Sequence, residues 1–135
     1  MQGYLAGKPF LVNCPINWFA SAALAEVHLG LTRLTHPKSV AAAMRASAVY
    51  GVKFDPKQLT IASTIPRGKG MASSTAEMAA AVAASLQPWE PSPDWEALSR
   101  LIATVEPTDG VYFPGITSLN HLTGERYQSW SLVPR

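Results

Sequence analysis

At 135 residues, 47% apolar and 15% charged, the chain is long enough for one domain with a real core, short for two, and too apolar for disorder. Eleven Lys and Arg against nine Asp and Glu give a net charge of +2, and the basic residues are scattered from Lys8 to Arg135, so no nucleic-acid-binding stripe is present. Cys14 is the only cysteine, which excludes an intrachain disulfide; the smoothest apolar run, Met78 to Leu86, is far shorter than the roughly 20 residues of a membrane span, and no signal peptide opens the chain, so a soluble cytoplasmic protein with no membrane partner is expected.

In chain order, Gly3 to Gly7 reads as a turn leading into a β-like run, Phe10-Leu-Val-Asn-Cys14, which Pro15 interrupts. From Trp18 to Leu29 the apolar spacing fits a helix, while the alternation of Leu24, Glu26 and His28 with Ala25, Val27 and Leu29 fits a strand. Thr35 or His36 as cap, Pro37 at the first helical position, Val40, Met44 and Ala48 at four-residue spacing and Gly51 as a stop predict a helix over residues 37 to 50. Asp55-Pro56 is a turn, and Leu59, Ile61 and Ile65 fall on alternate positions of a strand that delivers the chain to Pro66.

Residues 74 to 86 are nearly all small and apolar, as in a helix buried on most of its circumference. Pro88, Pro91 and Pro93 form a stiff connector, and Ser92 with Pro93 starts a helix to about residue 105, whose core face carries Trp95, Leu98, Leu101, Ile102 and Val105. Glu106-Pro107 ends it, because the residue before proline avoids the helical region. Ile116 to Leu122 and Glu125 to Leu132 then read as two strands joined at Thr123-Gly124. Leu132-Val-Pro-Arg135 is either native or the remnant of a thrombin-type cleavage site and is kept out of the fold argument.

The stretch on which the chain is organised is Pro66-Arg-Gly-Lys-Gly-Met-Ala-Ser-Ser-Thr-Ala76. Gly68 and Gly70 let the backbone take positive φ and lie close to a ligand, and the next N–H groups belong to a helix N-terminus, where they favour an anion. The spacing is not the common P-loop, since glycine follows Lys69 and the serines come later. A structural reading stands beside this one: Ser74 with Glu77 three residues on forms a capping box.

Pro66-x-Gly68-x-Gly70-Met71-Ala72-Ser73-Ser74 resembles the ATP-binding loop of the GHMP kinases, P-x-G-x-G-L-x-S-S-A, with Met71 in place of leucine. Within that family the loop together with Glu106-Pro-Thr-Asp109 is similar to the L-threonine kinases of cobalamin synthesis. The resemblance implies an α+β fold of the ribosomal protein S5 domain 2-like type, with the long helices on one face of a mostly antiparallel sheet, and it favours the strand reading of residues 18 to 29. It further implies that residues 1 to 135 are an N-terminal ATP-binding domain with its first strand cut short, since only Gln2-Gly3 remains of the family's opening segment, and with the C-terminal kinase domain missing. The isolated chain is therefore expected to be a weak or inactive catalyst. Oligomeric state is not legible.

Phosphoryl transfer requires groups that hold the phosphates, hold Mg²⁺ on their oxygens and place the attacking hydroxyl. By resemblance, ATP is bound by Pro66, Gly68, Lys69, Gly70, Met71, Ala72, Ser73 and Ser74, and Mg²⁺ by the Ser74 hydroxyl and the Glu106 carboxylate, both hard oxygen donors of the kind Mg²⁺ prefers. Asp109, three residues past Glu106, is the candidate to orient or deprotonate the substrate hydroxyl, with a turn aspartate as the structural alternative. Lys69 is a second catalytic candidate, as a point charge on phosphate oxygens. Asn13 and Asn17 fall near the expected substrate pocket. The implied activity is ATP-dependent phosphorylation of a small hydroxy amino acid, L-threonine to O-phospho-L-threonine. The alternatives are another small alcohol such as homoserine, or a non-catalytic or nucleic-acid-binding module of the same fold. His28, His36 and His121 show no metal-ligand spacing.

Overall fold

In the computed structural model residues 1–26, 31–87 and 94–131 are described, and they fall into two compact units: a continuous one, Trp18–Pro93, and a discontinuous one built from Met1–Asn17 and Asp94–Arg135. All strand pairs are antiparallel, and with the helices they make an α+β protein, as the sequence predicts. The strands divide between two sheets, one in each unit. Among the described residues no helix is long and apolar enough to cross a membrane.

The continuous unit pairs β3 (Ala20–Leu24) with β4 (Leu59–Ser63), so the strand expected between Trp18 and Leu29 is present but shorter: Ala25 and Glu26 lie past its end, and residues 27 to 29 of the alternation lie outside the described residues. Between them lie a single-turn helix α1 (Thr32–Thr35), which no periodicity announced, and α2 (Pro37–Tyr50). α2 has the predicted bounds because both ends are written locally: Pro37 pre-sets the first turn and Gly51 closes the last at φ 68°, with Val52 N–H bonded back to the Ser47 carbonyl at 2.8 Å. His36 is the residue before the helix, but its side chain does not cap it.

α3 (Ser73–Ser85) packs on α2 and on both strands. The shared core is Val40 and Ala43 from α2, Leu59 from β4, and Ala81 and Ala84 from α3, with Ala22, Phe54 and Ile61 against it. Alanine at the contact lets the two helix backbones approach closely, as the small-residue composition of residues 74 to 86 predicts.

The discontinuous unit holds a four-stranded sheet in the order β1 (Gln2–Leu5), β2 (Lys8–Asn13), β5 (Ile116–Leu119), β6 (Arg126–Trp130). Gly3 to Gly7 is thus not a turn throughout: Tyr4 and Leu5 pair with Pro9 and Lys8, and the turn is confined to Ala6 and Gly7, both at positive φ. The β5–β6 connection is tied by Asn120, whose side-chain oxygen accepts from the N–H groups of Leu122 and Thr123. α4 (Trp95–Ala103) starts at Asp94, whose carboxylate accepts from the N–H groups of Glu96 and Ala97, two residues later than predicted, and ends two residues before the predicted 105; the Ser92-Pro93 start lies outside the described residues. Leu98 and Ile102 are fully buried, and the Ser99 hydroxyl donates to the Gly124 carbonyl at 2.6 Å.

Candidate functional site

β4 ends at Ser63, whose hydroxyl accepts from Ile65 N–H at 3.2 Å, and the buried Ile65 anchors the chain before the loop. From Pro66 the backbone then turns through three left-handed residues, Gly68 at φ 69°, Gly70 at 67° and Ala72 at 59°. Two of these are glycine because an L side chain is strained there; a Cβ on either would meet nothing within 4 Å, so it is the backbone conformation and the open face above it that the glycines supply. Ala72 is the residue before α3 and no side chain caps the helix start, which corrects the capping box: the helix begins at Ser73, Ser74 is its second residue, and the Glu77 carboxylate faces elsewhere. In an α-helix the first N–H groups have no intrahelical acceptor, and here they follow directly on the loop.

Beside the loop is a cavity of about 300 Å³. Its walls are the start of α2, Thr35 to Ser39, and Arg67, Gly68, Ser73, Ser74 and Glu77. Of the predicted nucleotide-binding residues, the structure brings Gly68, Ser73 and Ser74 to this cavity, while the half-buried Pro66 and Met71 and the exposed Lys69 and Gly70 belong to the loop but do not line it. Among the lining residues that escaped the sequence reading of the site are His36, Arg67 and Glu77. Glu77, 7% exposed, lies 3.2 Å from Arg67 Nη2 and 3.6 Å from His36 Nε2. The one signal for it was an acid in an otherwise small and apolar helix.

The acidic turn belongs to the discontinuous unit. Past α4 the chain is bonded back through Val105 N–H and Glu106 N–H to the Ile102 carbonyl, then runs through Pro107 to the buried Thr108. Thr108 N–H donates to the His121 carbonyl at 2.8 Å, and the Thr108 hydroxyl accepts from Gly110 N–H at 3.2 Å. The same hydroxyl lies 2.9 Å from the Tyr112 hydroxyl, which donates to Ser99 Oγ at 2.7 Å. Burial raises the Tyr112 pKa above its ordinary value of 10.0, outweighing the lowering by these two hydrogen bonds. Glu106 and Asp109, both half-buried, flank this fixed turn. The Asn13 amide donates to the Asp109 carbonyl, so this side chain of β2 holds the turn, and its Oδ1 is buried without a hydrogen-bond partner among the described residues. Asn17 is exposed.

A loop of positive-φ turns running into a helix N-terminus, beside a cavity lined by Lys38, Arg67 and Glu77, is an arrangement whose free N–H groups favour an anion. The profile of the GHMP kinases N-terminal domain matches residues 35–113, well over half of the chain, and the chain belongs to that family. Among curated proteins it is similar to the L-threonine kinase of Salmonella typhimurium, 30% identical over 122 residues that cover 90% of this chain and 41% of that one. It is likewise similar to the L-threonine kinase of Citrobacter freundii, 32% identical over 126 residues covering 90% and 42%. The chain thus spans about two-fifths of the length of these relatives. No solved structure matches.

Proposed function

We propose that residues 1 to 135 are the N-terminal, ATP-binding part of a small-molecule kinase that converts L-threonine to O-phospho-L-threonine. The observation that carries the kinase reading is the loop: positive φ at Gly68, Gly70 and Ala72 leads the backbone into the first turn of α3 beside an open cavity. The threonine substrate rests on the two relatives of that name. In this reading the backbone from Gly68 to Ser73 holds the phosphates, with Pro66 setting the entry to the loop and the half-buried Met71 within it. Lys69, exposed at the tip, adds a mobile positive charge.

Of the residues assigned to Mg²⁺, the Ser74 hydroxyl and the Glu106 carboxylate are hard oxygen donors that would each suit the ion, and a bound Mg²⁺ would neutralise charge on the transferring phosphoryl group. Asp109 orients the threonine hydroxyl and takes up its proton. Asn13 contributes by fixing the Asp109 backbone through its amide, and Asn17 is left as the substrate contact.

The test is ADP release by the full-length protein that contains this chain, with threonine, homoserine and serine compared at equal concentration. Turnover highest with threonine is expected. Equal turnover with all three would favour a general small-alcohol kinase, and none would leave a non-catalytic module. Glu106→Gln should remove the Mg²⁺ dependence of ATP binding while leaving the circular dichroism spectrum intact; binding indifferent to both Mg²⁺ and Glu106 would remove the metal assignment.

A further inference from the structure

Glu77 stands in a helix that is otherwise small and apolar around most of its circumference, with only 7% of its side chain exposed. A carboxylate there is costly unless it is paired, and Arg67 pairs it, with the His36 ring close by. Arg67 Nη2 reaches it at 3.2 Å from the loop, and His36 Nε2 at 3.6 Å from the residue that precedes α2. The other ring nitrogen of His36 is 2.7 Å from the Thr35 hydroxyl. A continuous polar line, Thr35, His36, Glu77, Arg67, therefore runs along the cavity wall from the start of α2 to the base of the loop. The Arg67 side chain is 57% exposed, so its guanidinium is held on one side and faces the cavity on the other. A guanidinium carries five N–H donors in a rigid fork, and the bond to Glu77 uses only part of that set.

We propose that Glu77 is a positioning residue of the nucleotide loop: its buried carboxylate, beside His36, fixes Arg67 so that the guanidinium meets a phosphate in the cavity. The inference rests on the kinase reading above. It accounts for two features together, the buried acid in α3 and the basic residue at the second position of the loop. It also makes a signed statement about electrostatics. Without Arg67, the Glu77 carboxylate would be left facing an anion, so losing the arginine alone is worse than losing both charges.

The experiment is a double-mutant cycle on the full-length protein, with the Kd for Mg·ATP measured by calorimetry and KM and kcat measured alongside. Arg67→Gln should weaken ATP binding by about tenfold or more, Glu77→Gln should raise KM for ATP more than it lowers kcat, and the double variant should bind no worse than Arg67→Gln alone. Glu77→Asp should recover part of the loss. A Glu77→Gln protein with a lowered melting temperature but an unchanged Kd would make the ion pair purely structural and overturn the proposal, as would additive effects. Should Glu77→Gln fail to fold, the exposed Arg67 still decides: an unchanged Kd in Arg67→Gln overturns the proposal. A wild-type protein that binds no Mg·ATP would remove the kinase reading and this inference together, whereas wild-type binding with insensitive variants removes this inference alone.

Discussion

Ala72 is a non-glycine residue at φ 59°, sitting where the loop becomes α3. Left-handed backbone is strained for an L side chain, and the cost exceeds the chain entropy that glycine would forfeit, so Ala72→Gly should stabilise the fold by about 0.5–1 kcal/mol. A higher urea midpoint with an unchanged slope would show it. Tyr112 gives a second residue-scale prediction with a sign. Its folded-state pKa lies above the ordinary 10.0 because burial disfavours the phenolate, so the stability it contributes is intact below pH 10.0, where both states are protonated, and is lost as pH rises from there through the raised folded-state pKa, because the unfolded tyrosine ionises first. Tyr112→Phe should cost about 1–3 kcal/mol near pH 8 by leaving the buried Thr108 and Ser99 hydroxyls short of a partner, and the deficit should shrink above about pH 10.5. Denaturant titrations of both proteins at the two pH values give the stabilities to compare. At this scale the glycines of the loop were legible because positive φ leaves few alternatives. Glu77 was not: three residues after Ser74 its identity fits a cap, and only the folded loop shows the carboxylate turned to Arg67.

The α2–α3 contact is the element on which the loop depends, since it fixes the two helix starts that flank the cavity. Ala43 and Ala81, in the core shared by the two helices, are 0% exposed. Ala81→Leu should therefore overpack the contact and cost roughly 1–3 kcal/mol, whereas Met44→Leu, at a position 44% exposed, should change stability by less than about 0.5 kcal/mol. Thermal melts of the two proteins check both. α2 could be bounded from sequence because proline and glycine mark its ends directly. The start of α4 could not, because Ser92-Pro93 and Asp94 offer competing starts, and β1 was hidden because the two glycines around it look like a turn until β2 is seen to pair with it. The single turn of α1 is too short to show any period. The division of strands between two sheets depends on partners far apart in sequence, which no local pattern encodes.

For the whole molecule, a net charge of +2 with scattered basic residues bears on the alternative of a nucleic-acid-binding module. Non-specific binding to a phosphate backbone needs several clustered cations, so single-stranded RNA should not be retained in filter binding at physiological salt below about 100 µM protein. Retention near 1 µM, falling steeply with salt, would reopen that alternative. The layout of the two units has a further consequence during synthesis. The ribosome releases β2 early, but its partner β5 emerges only about a hundred residues later, as Val12 pairs with Ser118. At roughly 5–20 residues per second the nascent β1–β2 hairpin waits for about 5–20 s with one edge open, while all of the intervening unit is translated and can fold first. An unpaired edge of that duration is a template for wrong pairing between neighbouring chains on a polysome, so the yield of soluble protein should depend on translation speed and on chaperones that shield extended segments, even though the completed sheet pairs that edge.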